Sequence, residues 1–177
     1  LDMYLGKNYP FYPSVQLPEY EIKRCEKAYI PINAAKVLFE NRFPQNPEGR
    51  NLLELMIAKG KQLLFMEYVL PAASDEFLMG YSPAQLKWCK DNEAMIWNFF
   101  SARQLLYSTD WQDMMRYVND GPTSTGMPPE SPGNIGSWTG WQLVRCYLKN
   151  HPDLSLQQLL NDHSDAQTFL RTSGYKP

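Results

Sequence analysis

Four helix starts after residue 80 are marked by a hydroxyl side chain followed three residues later by glutamine. The runs are Ser82-Pro-Ala-Gln85, Thr109-Asp-Trp-Gln112, Ser155-Leu-Gln-Gln158 and Ser164-Asp-Ala-Gln167. In each, the two side chains can satisfy backbone amides at opposite ends of a first helical turn. Asn46 before Pro47 and Ser131 before Pro132 mark two further starts. Six marked starts in 177 residues predict a mostly α domain. Periodicity agrees: Leu52, Met56, Leu63, Met66 and Leu70 fall at helical spacing, as do Trp111, Met114, Met115 and Val118. Pro18 and Pro31 can open two earlier helices, the second running through Ala34, Val37 and Leu38 until Pro44 stops it.

Two regions escape this pattern. Residues 1–18 hold Tyr4, Tyr9, Pro10, Tyr12, Pro13 and Pro18, which suits an extended strand or a segment lying on the surface. Gly121 to Pro132 contains four prolines and reads as an ordered, irregular loop that either borders a groove or crosses the surface as a connector.

Hydrophobic residues make up 44% of the chain, and 17 Lys+Arg against 19 Asp+Glu leave a net charge of −2. That composition supports a packed core and excludes general disorder. The charge balance gives no support to nucleic-acid binding through a basic face. Apolar runs such as Leu63-Leu64-Phe65-Met66 fall far short of a membrane span. The length suits a single domain over residues 1–177, and a first residue that is Leu1 suggests a fragment or processed chain. Cys25, Cys89 and Cys146 lie far apart with no C-x-x-C, so buried free thiols are favoured over a disulfide. His151 and His163 are the only histidines; both are expected to face solvent, and no H-E-x-x-H can be built. P-loop, dinucleotide and G-x-S-x-G signatures are absent too, so no cofactor or metal site and no catalytic residue is assigned.

Five residues stand out. Lys59 lies in the middle of the apolar stripe Leu52–Leu70, whereas Lys61 and Glu54 fall on the opposite, solvated side. A lysine so placed snorkels out, pairs with an acid, or points into a polar cavity. Gly60 beside it suggests a close approach by a backbone or a ligand. On the next helix Cys89, Ile96, Phe100 and Tyr107 form a stripe that also carries Glu93 and Arg103. Those two charges are about 15 Å apart along a helix and cannot pair with each other, so Glu93 becomes a candidate partner for Lys59. Trp138, Gln142 and Arg145 share one face of the helix after the Pro-rich loop, where Gly136 and Gly140 permit close approach. That face can bind a peptide or glycan, or seal the helix against its neighbours.

A longer pattern carries a resemblance. It runs through Asn51-Leu-Leu-Glu-Leu-Met-Ile-Ala-Lys59-Gly60-Lys61, Gly80-Tyr81-Ser82, Glu130-Ser-Pro-Gly-Asn-Ile-Gly136, Gly140-Trp141-Gln142 and Ser173-Gly-Tyr175-Lys-Pro177. This series resembles the gliding-motility lipoprotein GldB family of Bacteroidetes along nearly the whole chain. The resemblance implies a larger lipoprotein of which this chain is the C-terminal part. It also implies a place in the cell envelope, on the periplasmic face, held only by an N-terminal lipid anchor outside the chain. The family is distantly similar to predicted zinc proteases with a gluzincin-like core, which implies the helical part of a zincin-like fold. In those proteases a second helix supplies a glutamate ligand in a Glu-Gly-x-Ala-like motif. The matching stretch here is Lys59-Gly60-Lys61-Gln62. An ammonium group cannot ligate zinc at neutral pH, and the histidine-bearing first helix is not recognisable.

These readings lead to a non-catalytic envelope protein on a degenerate metallopeptidase-like scaffold, acting in gliding or secretion-machinery assembly with envelope protein partners. One alternative is a peptide- or glycan-binding module. Another is an active zinc peptidase whose ligands lie outside this chain.

Overall fold

A computed structural model describes residues 4–44 and 49–177. Eleven α-helices follow one another: α1 (Phe11–Ser14), α2 (Glu19–Ile22), α3 (Ile30–Arg42), α4 (Leu52–Val69), α5 (Asp75–Met79), α6 (Pro83–Asp91), α7 (Glu93–Ala102), α8 (Trp111–Val118), α9 (Ile135–Asn150), α10 (Leu156–Leu160) and α11 (Ala166–Ser173). Short 3₁₀ turns lie at Lys23–Cys25, Lys27–Tyr29 and Leu105–Tyr107. Among the described residues no strand forms, so the mostly α expectation holds. The N-terminal residues from Tyr4 onward form turns and α1 rather than a strand. Backbone bonds from Gly6 N–H to Cys25 O and from Leu5 N–H to the Tyr12 hydroxyl tie them down.

The α4–α9 pair is the centre of the molecule. α4 is apolar over most of its surface, and Leu52, Leu53, Met56, Ile57, Leu63, Leu64 and Met66 are all buried, as a largely apolar helix must be. α9 runs against it at the glycines. A Cβ at Gly140 would collide with the carbonyl of Met56, and one at Gly60 with the carbonyl of Gly140. The approach inferred at Gly60 is therefore a neighbouring backbone. Gly136 plays the same part against α8, where an added Cβ would lie 2.8 Å from the Tyr117 carbonyl oxygen. α3 covers α4 through Phe39 against Phe65, and α11 covers α9 through Phe169 stacked on Tyr147 at 4.0 Å.

The local signals fared unevenly. Capping boxes form at Ser82/Gln85 and Ser155/Gln158. At the other two sites the following aspartate takes over: Asp110 accepts from Asp113 N–H and Asp165 from Thr168 N–H. A carboxylate gains more than a hydroxyl from the positive end of a helix, and Ser164 is drawn away to Asp162. Asn46 and Pro47 lie outside the described residues; α4 begins instead with a box between Asn51 and Glu54. Ser131 does not open α9 but holds the preceding loop, accepting from Ser124 N–H. The helix expected through Cys89 and Tyr107 is cut at Asn92, whose side chain bonds back to the Trp88 carbonyl. Cys89, Ile96 and Phe100 are nonetheless buried, while Tyr107 is exposed. α3 turns Ile32, Ala35 and Phe39 inward, leaving Ala34, Val37 and Leu38 exposed. Trp111 is exposed as well.

All three thiols are free. Burial pushes Cys89 up to about 12, which makes it inert as a nucleophile.

Candidate functional site

Lys59 and Gly60 are consecutive on α4, and their environments differ sharply. Gly60 is clamped against α9, whereas Lys59 is half-buried and lines a polar cavity of about 80 Å³. Lys36 of α3, Arg24, Asp120, Asn134 and Ser137 line the same cavity. Burial depresses the Lys59 pKa and the Lys36 charge adds to this, against weaker support from Glu40 and Asp120. Arg24 is engaged through Nη2, donating to Asp120 at 2.8 Å and to the Met79 carbonyl at 2.9 Å. Asn134 donates to the same Asp120 oxygen at 2.9 Å. Its own Oδ1 is buried and accepts nothing from the described residues. Asn134 sits at φ +59 as the residue before α9.

Glu93, the sequence-derived partner for Lys59, is engaged elsewhere. Glu93 accepts a hydrogen bond from the Tyr175 hydroxyl at 2.8 Å, and the carboxylates that act on Lys59 are Glu40 and Asp120. Lys61 also departs from expectation. It is buried, donates to the Asp162 carbonyl at 2.6 Å, and lies 5.3 Å from the Phe169 ring centre. Because α4 is enclosed on all sides around Lys61, with exposed residues only at its C-terminal end, it has no solvated face to offer this lysine.

Beyond the Arg24–Asp120 pair lies a groove of about 1010 Å³. Arg24, Met79 and Asp120 line both the groove and the cavity. Pro122, Pro132 and Gly133 form one border, so the Pro-rich loop edges a groove. Tyr81 donates to the Gly133 carbonyl at 2.8 Å, fixing that edge to the α5–α6 turn. Lys23 secures the turn itself through the carbonyls of Gly80 and Tyr81.

The Trp138–Gln142–Arg145 face does not line an open cleft. Trp138 is 1% exposed, with its indole N–H buried and unpartnered among the described residues. Gln142 lies half-buried one turn on, its side-chain amide 3.5 Å from the Trp138 carbonyl. Arg145 forks onto both oxygens of Asp75 at 2.8 and 3.1 Å and reaches Glu67 at 3.0 Å. Its guanidinium lies 3.8 Å from the Trp141 ring centre, and the Trp141 indole also donates to Glu67. Burial works against the Arg145 charge, but the hydrogen bonds to Asp75 and Glu67 outweigh it and raise the pKa. Reciprocally, the Arg145 bonds hold Asp75 below the usual carboxylate range. These residues lock α9 to α4 and α5.

His163 is exposed, but His151 is half-buried, stacked on Tyr147 with Nδ1 2.7 Å from the Tyr147 carbonyl. Among the described residues no group of three or more His, Cys, Asp or Glu side chains is placed to hold a metal ion. No described helix is long and apolar enough to cross a membrane.

The family model described as gliding motility protein GldB matches residues 1–177. The chain belongs to the GldB family. GldB membership connects it with gliding motility and, as a lipoprotein family, with the cell envelope. No curated protein and no solved structure matches this GldB chain.

Proposed function

We propose that this GldB-family chain is a non-catalytic component of a lipid-anchored envelope protein. It serves assembly or scaffolding of gliding or linked secretion machinery from the periplasmic face. Its helical frame is read as a metallopeptidase-like scaffold that has exchanged a metal-binding acid for Lys59. The observation that carries this reading is the cavity: the Lys59 side chain lines a polar hollow beside Lys36. Positive charge concentrated there opposes a divalent cation.

The test has two arms. Crosslinking in intact cells should trap a stable envelope protein partner. Purified protein supplied with zinc should leave a peptide library uncut. Zinc-dependent cleavage that disappears with a chelator would overturn the proposal.

A second reading, a peptide-binding module, draws support from the groove beside the Pro-rich loop. It draws none from Trp138, which is inside the core.

A further inference from the structure

The Lys59 cavity has a charge imbalance that the protein itself does not resolve. Four charged residues line it: Arg24, Lys36, Lys59 and Asp120. The Arg24–Asp120 pair at 2.8 Å cancels internally. Two ammonium groups remain, and among the described residues neither makes an ion pair or a hydrogen bond. Glu40 also acts on Lys59, but it is exposed on α3, accepts from Gln62, and is outside the cavity lining.

The geometry points to this cavity as a binding site for a phosphate-class oxyanion, either the free ion or the phosphomonoester group of a larger molecule. Three observations converge on that chemistry. Two lysines from different helices, α3 and α4, face one hollow, which is an arrangement for accepting negative charge. The volume of about 80 Å³ suits a small ion, since one water needs roughly 10–15 Å³ on this measure. The third is Asn134, whose buried Oδ1 lacks a donor. A hydrogen phosphate, or a monoester in its singly protonated form, can accept from the lysines and donate its remaining proton to that oxygen. A carboxylate can only accept, leaving Asn134 unsatisfied. Asn134 and Ser137 also bring the start of the 16-residue helix α9 to the cavity wall, and its partial positive charge favours the same ligand. The groove that shares Arg24, Met79 and Asp120 gives room for the rest of a phosphomonoester. None of this depends on the metallopeptidase ancestry or on an assembly role.

The experiment titrates the full chain with inorganic phosphate and, separately, with glycerol 3-phosphate at constant ionic strength. Binding is read by calorimetry and by ³¹P line broadening. Saturable 1:1 binding is expected. Lys59→Met should weaken it at least about tenfold, the scale of one charge-assisted hydrogen bond. Lys36→Met should weaken it less, and Lys149→Met, at the exposed end of α9, should leave it unchanged. Tighter binding of inorganic phosphate identifies a free ion as ligand, and tighter binding of the ester identifies a phosphorylated larger molecule. Absence of binding by the wild type overturns the proposal, as does equal affinity in Lys59→Met. Equal competition by acetate overturns the phosphate assignment. If Lys59→Met does not fold, Lys36→Met decides: unchanged affinity in that variant overturns the site.

Discussion

Arg145 and Lys59 project from the two central helices, and the fold treats them in opposite ways. Arg145 has a carboxylate on each side of its fork and an indole beneath it. Lys59 has a hollow, a second lysine and an orphaned amide oxygen nearby. A cation whose charge is matched by the protein's own carboxylates is part of the frame. A half-buried cation left unmatched costs stability, and such a cost makes sense where something else is bound. The contrast separates a staple from a site, although both residues are basic groups on buried helices.

The largest effect should come from the backbone crossing that holds both residues in register. Gly140→Ala drives a methyl group into the Met56 carbonyl and should cost about 4 kcal/mol, with loss of cooperative unfolding in a urea titration. If Gly140→Ala is tolerated, the crossing is looser than described and the two environments are not rigidly separated.

Arg145→Met comes next. It strands Asp75 and Glu67 without their partner and should cost about 2 kcal/mol, moderated because the network is partly exposed. Arg145→Lys should recover only part of this, because an ammonium cannot fork onto two carboxylates.

The pH response should differ in sign between the two cations. The Asp75 carboxyl is held below its ordinary value of 3.8, so its stabilising contribution is complete above that pH. It is lost as pH falls through the lowered folded value. This acid loss should vanish in Arg145→Met. The Lys59 pKa is below its ordinary 10.5, so its charge penalises the fold at neutral pH. The penalty is relieved as pH rises through the lowered folded value toward 10.5. Wild type should therefore gain stability relative to Lys59→Met across that alkaline window.

Lys59→Met itself should show the smallest change at pH 7 without added anion: unchanged stability or a gain of up to about 1 kcal/mol. A loss as large as that of Arg145→Met would make Lys59 a second staple and erase the contrast.

How far the sequence reached depended on distance along the chain. The boxes at Ser82 and Ser155 close within one turn and could be read directly. Gly60, Gly136 and Gly140 signalled close approach because a missing Cβ is visible in the sequence whatever the neighbour proves to be. The inward placement of Lys59 followed from helical phase. Its environment did not, because Arg24, Lys36 and Asp120 come from three distant segments. The same limit hid Glu67, which Arg145 reaches across 78 positions, and Tyr175, which takes Glu93 across 82. Lys61 was misplaced for a different reason. Assigning it to solvent assumed that α4 has a wet face, and enclosure by its neighbours removes that face. Asp110 and Asp165 took over as caps because two adjacent residues could each start the helix.

The proposed function rests on one idea: positive charge occupies the place where a peptidase of this resemblance would hold a metal. Native mass spectrometry of the purified chain with equimolar zinc tests it most directly. The account predicts a metal-free spectrum with at most weak, non-stoichiometric adducts. A retained one-to-one zinc complex, diminished by substitution within the Lys59 cavity, would contradict it.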